Sequence, residues 1–236
     1  MSHRKTKGFN RQSEKGIFFP MKRLIVYDLD GTLVDTRADI VSSVNFMLSE
    51  MGAKRLETSE VEPFVGKGLH YLVAGCLKTD EKSQVEAGAK IFRKHYGEHM
   101  LDHSQLYSGA QEFLDYFKER KQAVITNKPN PFTDQMLAAL KISDFLCAQI
   151  AGNSSYPQKP DPRALIAVME IAKASREETL LIGDSAIDRQ FGKRAGVDTV
   201  LITHGFSGRN ELESQAPEVL TDSFHELLDI TKRKGW

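Results

Sequence analysis

The sequence predicts an α/β protein: a Rossmann-like parallel sheet core with an inserted all-helical cap domain. Three observations carry this expectation. From Tyr107 onward, short apolar runs alternate with amphipathic segments, as strands of a parallel sheet do when right-handed helical crossovers join them. Residues 36–104 carry helical patterns and no convincing strand. A lone apolar run, Leu24–Asp28, precedes that helical stretch, so one core strand comes before the insertion.

The elements follow in order. Leu24–Asp28 is almost continuously apolar, as a strand covered on both faces must be. Asp35–Met51 is helical, with Ile40, Val44, Met47 and Leu48 on one face and Gly52 as the C-cap. Between residues 58 and 100, Leu69, Leu72 and Val73 form one stripe, and Ile91, Phe92 and Tyr96 another. Then come the helix YSGAQEFLDYFKER, the strand QAVIT, the helix PFTDQMLAALKI and the strand CAQIAG. The helix DPRALIAVMEIAK, the strand TLLIGD and the helix AIDRQFGKRAG follow, and the strand DTVLIT and the helix DSFHELLDITKRK complete the alternation. Residues 21–35 and 105–236 are thus assigned to the core and 36–104 to the cap. Residues 1–20, basic and without periodicity, are read as a disordered leader.

Composition narrows the function. Among 236 residues, 32 are Lys or Arg and 32 are Asp or Glu, so the formal net charge is zero. Neither nucleic acid nor an anionic membrane surface is an expected partner. No apolar run is long enough to span a bilayer. Cys76 and Cys147 lie far apart without metal-type spacing, which fits two buried apolar residues in a reducing cytoplasm.

In open α/β sheets, ligands bind beyond the carboxyl ends of the strands. Three of the expected strands end in polar chemistry: Asp28 and Asp30, then Thr126 and Asn127, then Asp184 with Asp188 one turn later. In an extended segment the two-residue spacing of Asp28 and Asp30 puts both side chains on one side. Gly31 then lets the chain turn sharply, and Thr32 can bond the turn backbone. Converging carboxylates repel unless a cation joins them, and a hard ion such as Mg2+ suits oxygen ligands. An EF-hand calcium loop is excluded, because its glycine stands sixth and here Gly31 stands fourth from Asp28. The carboxyl groups of Asp28, Asp30 and Asp184 are therefore expected around one divalent ion. Such a site suits phosphoryl chemistry, with Asp28 attacking phosphorus and Asp30 moving the proton. Lys159, in QKPDP ahead of a helix, supplies the positive charge that the phosphoryl group needs.

These residues resemble the haloacid dehalogenase superfamily of phosphatases, from about Lys22 to the C-terminus. The pattern D-x-D-G-T-L-x-D-[ST] is matched by Asp28–Thr36, the strand-ending Thr by Thr126, the lysine before a helix by Lys159, and G-D-x-x-x-D by Gly183, Asp184 and Asp188. The resemblance implies Asp28 as nucleophile and Asp30 as general acid and base, its main-chain carbonyl also a magnesium ligand. It implies Thr126 and the Asn127 backbone on the phosphoryl oxygens, Lys159 on nucleophile and phosphate, and Asp184 on Mg2+. Asp188 would orient that shell or pair with Lys159. Gly31, Asn127, Lys128 and Lys67 are counted as phosphate- or substrate-binding, Lys67 or Lys128 reaching the far end of an anionic substrate.

Within the superfamily the chain is most similar to the phosphoglycolate phosphatases, through PFVGKGLHYLV and VITNKPNPF. The implied substrate is a small phosphorylated metabolite, 2-phosphoglycolate or a similar ester, handled by a monomer or homodimer. A pyrophosphatase, or a sugar-phosphate phosphatase or phosphomutase, would keep the same four motifs. A phospho-accepting receiver domain is the non-enzyme alternative, disfavoured because D-x-D follows the first strand and a cap interrupts the chain. The chain departs from the family where Phe191-Gly192 falls in the helix after Asp188, a place where relatives often carry a small residue such as alanine, and Gly192 should weaken that helix slightly. His95, His99 and His103 recur every four residues and read as a solvated face of the cap, with a metal site the rarer reading. His204, after the last strand, would border the active-site edge.

Overall fold

The computed structural model describes residues 21–236, so the leader expected over residues 1–20 lies outside the described residues. In chain order the strands are β1 (Leu24–Tyr27), β2 (Val34–Asp35), β3 (Gln105–Leu106), β4 (Lys121–Ile125), β5 (Leu146–Ile150), β6 (Thr179–Gly183), β7 (Asp198–Ile202) and β8 (Val219–Thr221). The helices are α1 (Arg37–Glu50), α2 (Thr58–Val61), α3 (Leu69–Leu77), α4 (Lys82–His99), α5 (Ala110–Tyr116), α6 (Phe132–Ala139), α7 (Arg163–Ala172), α8 (Ala186–Ala195), α9 (Arg209–Ser214) and α10 (Phe224–Lys234).

Six strands form one sheet in the order β5-β4-β1-β6-β7-β8, and every pairing is parallel. The chain winds outward from β1 to one edge, then returns to add β6 on the other side of β1. The crevice beyond the carboxyl ends of β1 and β6 is therefore the point where the winding reverses, the place where such sheets hold ligands. Alternation along β1 explains its unbroken apolar sequence. Leu24 and Val26 pack with Leu165, Val168 and Phe191 from α7 and α8. Ile25 and Tyr27 face the opposite layer, with Phe113 of α5 and Phe224 of α10. Both faces are covered, so no position in β1 is free to be polar.

Two expectations about single residues are revised. Cys147 is exposed, while Cys76 is buried as expected. β5 is an edge strand whose alternate residues point to solvent, and Cys147 falls on that side. Gly192 has a reason beyond helix propensity. A Cβ there would lie 2.0 Å from Thr199 Oγ1, so the glycine lets α8 close onto β7.

The helical insertion α1–α4 lies between two linkers that pair with each other as β2 and β3, antiparallel, Val34 opposite Leu106 and Asp35 opposite Gln105. α4 packs against both α1 and α3. Asp39, buried in the first turn of α1, fastens the returning linker: its carboxylate accepts from Ser104 N at 2.8 Å, Ser104 Oγ at 2.7 Å and His103 N at 3.1 Å. The three histidines do not meet at one point: His95 and His99 stack with ring centroids 4.4 Å apart, and His103 stands apart from them. His95 meets Ser43 Oγ, His99 pairs with Asp102, and His103, beyond the end of α4, pairs with Asp39. Among the described residues no helix is long and apolar enough to cross a membrane.

Candidate active site

The site is built where β1 stops. Past Tyr27 the chain does not stay extended. The Leu29 carbonyl accepts N–H bonds from Leu33 and Val34 at 3.0 Å, closing a tight turn. Gly31 sits in that turn at φ +79°, and a Cβ there would lie 2.4 Å from Asp184 Oδ2. Glycine therefore serves twice, in the backbone angle and in the approach of Asp184. This places Gly31 against an acid of the site.

Three carboxylates meet beside this turn. Oxygens of Asp28, Asp184 and Asp188 lie within 4.8 Å of one another, all three residues buried. Asp28 Oδ1 accepts from Leu29 N at 2.7 Å, and its Oδ2 lies 2.8 Å from Lys159 Nζ. Asp184, directly after β6, accepts from Thr32 Oγ1 at 2.8 Å and from Phe206 N at 2.9 Å. Asp188, in the first turn of α8, accepts from Lys159 Nζ at 2.7 Å and from Ser185 Oγ at 2.5 Å. Ser185 also caps α8 by accepting from Asp188 N.

Electrostatics follow from this crowding. Three carboxylates and one ammonium leave two negative charges when all are ionised. Burial pushes the Asp184 carboxyl up to about 8, and Asp188 and Asp28 add to the shift. Burial also pushes Asp28 up to about 6, against the pull of Lys159. Burial opposes the charge on Lys159, but Asp188 and Asp28 outweigh it and its pKa is raised. A buried, all-oxygen donor set with two uncompensated charges fits a hard divalent cation such as Mg2+.

The Asp30 carboxylate is not in this cluster, contrary to the expectation that it joins Asp28 and Asp184 there. Lys128 Nζ donates to its two oxygens at 2.9 and 3.2 Å and to Tyr96 OH at 2.6 Å. The two-residue spacing misleads because the alternation of side chains holds only within a strand, and β1 ends before Asp28. Asp30 and Asp28 nevertheless line the same cavity.

Thr126, Asn127 and Lys128 follow β4 directly and line that cavity too. The Asn127 side chain is a clamp: Nδ2 donates to Gly66 O at 2.9 Å and Lys159 O at 3.1 Å, and Oδ1 accepts from Lys159 N at 2.8 Å. It fixes the Lys159 loop and ties it to the helical insertion. Lys67 is exposed, with Nζ 3.3 Å from Tyr71 OH, and lines an outer lobe of about 380 Å³ with Asp28, Asp30 and Asp184. His204 does not line either lobe. Its Nε2 lies 3.0 Å from Thr32 O and its ring stacks on Tyr107.

Sequence reasoning misses several partners. Ser185 is the most recoverable, since a Ser three residues before Asp188 at a helix start is a capping pattern. Tyr96 reads as an apolar stripe residue, and nothing local reveals the partner of its hydroxyl. Arg37 bridges Glu62 Oε1 at 2.6 Å and Gly205 O at 2.7 Å, contacts far away in sequence.

Comparison with known proteins agrees with this geometry. A family model described as haloacid dehalogenase-like hydrolase matches residues 25–202. Phosphoglycolate phosphatase 1 of Pseudomonas aeruginosa is 33% identical over 217 residues, covering 88% of this chain and 79% of its own length. A phosphoglycolate phosphatase of Photobacterium profundum is 30% identical over 220 residues, 89% of this chain and 96% of its own. The crystal structure of a "predicted phosphoglycolate phosphatase" from Haemophilus somnus superposes with a TM-score of 0.84 at 26% identity, over 89% of this chain and 98% of that one.

Proposed function

The chain belongs to the haloacid dehalogenase-like hydrolases as a phosphatase, and we propose that it cleaves small phosphomonoesters with Mg2+ through an aspartyl-phosphate intermediate. The observation that carries this reading is the placing of Asp28 where the sheet winding reverses, held by Lys159 and faced by two further buried acids.

In the first half-reaction an Asp28 carboxylate oxygen attacks phosphorus, the bond from phosphorus to the ester oxygen breaks, and Asp30 gives that oxygen its proton. In the second, water attacks phosphorus and returns a proton to Asp30. The bond to Asp28 then breaks, inorganic phosphate leaves and both side chains are restored. Lys159 neutralises charge on nucleophile and phosphoryl group, and Asp188, with its oxygens taken by Lys159 and Ser185, keeps that ammonium aimed at Asp28. Thr126 and the Asn127 backbone receive the phosphoryl oxygens. Asp28, Asp184 and the Asp30 carbonyl would hold Mg2+, which when bound supplies positive charge to the phosphoryl oxygens. The insertion over residues 36–104 acts as a cap that keeps bulk water from the intermediate.

The names of the relatives put 2-phosphoglycolate first among candidate substrates. Its carboxylate would face the exposed Lys67 in the outer lobe, since Lys128 is already engaged. Phosphate release from 2-phosphoglycolate in Mg2+ tests the reading. Asp28→Asn and chelation should each abolish release, and restored Mg2+ should restore it. Turnover at a near-normal rate by Asp28→Asn would assign the nucleophile elsewhere.

A further inference from the structure

The cavity that meets Asp28 and Asp30 has an inner lobe whose lining does not suit a charged leaving group. Ile40, Val65, Leu72, Phe92 and Phe132 line it, with the Tyr96 ring among them. Lys128 is the sole cation in that lining, and its three N–H donors are spoken for by both Asp30 oxygens and Tyr96 OH. A carboxylate placed there would lose its water and meet no free cation, which is unfavourable among these apolar side chains. An alkyl group placed there would exchange water for carbon. The volume of about 60 Å³ holds roughly four water-sized groups.

We propose that this inner lobe is a leaving-group site for small apolar alcohols, so that the enzyme also hydrolyses alkyl phosphomonoesters of up to about four carbons. The proposal rests on the phosphatase reading. The bonds made and broken are those given above, with the alkyl alcohol as the group that takes the Asp30 proton. The ester oxygen sits at Asp30 while the chain extends between Ile40 of α1, Leu72 of α3 and Phe92 of α4.

The test measures phosphate release by the full chain in Mg2+ from methyl, ethyl, n-propyl, n-butyl and n-hexyl phosphate and from 2-phosphoglycolate. Each added methylene should raise kcat/KM about fourfold as far as butyl, with no further gain at hexyl. Val65→Thr, nearly isosteric and at a half-buried position, should lower the butyl-to-methyl ratio about tenfold by placing a hydroxyl in the lobe. Lys67→Ala should lower 2-phosphoglycolate relative to the whole alkyl series. A flat or falling alkyl series alongside turnover of 2-phosphoglycolate overturns this proposal alone, as does a ratio indifferent to Val65→Thr. No release from any ester overturns the phosphatase reading and this proposal with it.

Discussion

Replacing Asp184 with Asn separates the two consequences of its charge. Without metal that charge is a liability, because burial first, then Asp188 and Asp28, push its pKa from 3.8 to about 8. An acid whose folded pKa exceeds its unfolded one binds its proton more tightly when folded. Its presence therefore erodes stability as pH rises from about 4 to about 8. At pH 8 and above, that rise corresponds to roughly 5 kcal/mol. Asn removes this burden but sets an amide against donors: Thr32 Oγ1 and Phe206 N both bond to Asp184, and Asn offers one acceptor oxygen. Losing one such bond returns about 2 kcal/mol of the gain. The net is about 3 kcal/mol of added stability for the metal-free variant at pH 8, or about 6–12 °C in Tm for a chain of this size. With Mg2+ at about 100 times Kd, the wild type gains about 2.7 kcal/mol and the variant little, so the gap closes. Thermal unfolding at pH 8 with chelator, then with Mg2+, checks both halves. An Asn variant that melts below wild type in chelator, or that gains as much from Mg2+, refutes the reasoning.

Other changes have equally definite outcomes. Lys159→Met leaves Asp28 and Asp188 without their cation and should lower metal-free stability by about 3–5 kcal/mol in denaturant titration, with phosphate release falling at least about 1,000-fold. Gly192→Ala gains about 1 kcal/mol of helix propensity but drives a methyl group into Thr199, for a net loss of about 1–2 kcal/mol that Thr199→Ala should relieve in a double-mutant cycle. Asp39 is buried, which alone would raise its pKa, yet bonds from Ser104 and His103 lower it. Its stabilisation is therefore present above the unfolded pKa and lost as pH falls, so Asp39→Ala should cost about 3 kcal/mol at pH 7 and less at pH 3 by urea midpoint.

What could be read from the sequence had local causes. β1, β4, β6 and β7 announce themselves because parallel strands buried on two faces leave few polar positions. Asp28, Asp184 and Asp188 could be picked out because acids at or just past the ends of such strands stand where burial would otherwise forbid them, and Lys159 because it stands in a loop ahead of a helix at the same sheet edge. The misses had non-local causes. β2 and β3 are two residues each and exist only through their pairing across the insertion. β8 and α9, of three and six residues, are too short to show a period. The direction of the Asp30 carboxylate depends on where a strand gives way to a turn, a boundary that sequence patterns place poorly. Tyr96 stacks on Phe92 as a core residue would, and only the fold brings its hydroxyl to Lys128.

That Asp28 itself carries the phosphoryl group is tested most directly by acid-quenching the enzyme during turnover and mapping the phosphorylated peptide by mass spectrometry. The expected result is one phosphoryl group on Asp28, formed only with Mg2+ and absent in Asp28→Asn. Phosphoryl transfer to another residue, or steady phosphate release from Asp28→Asn with no labelled peptide, would contradict it.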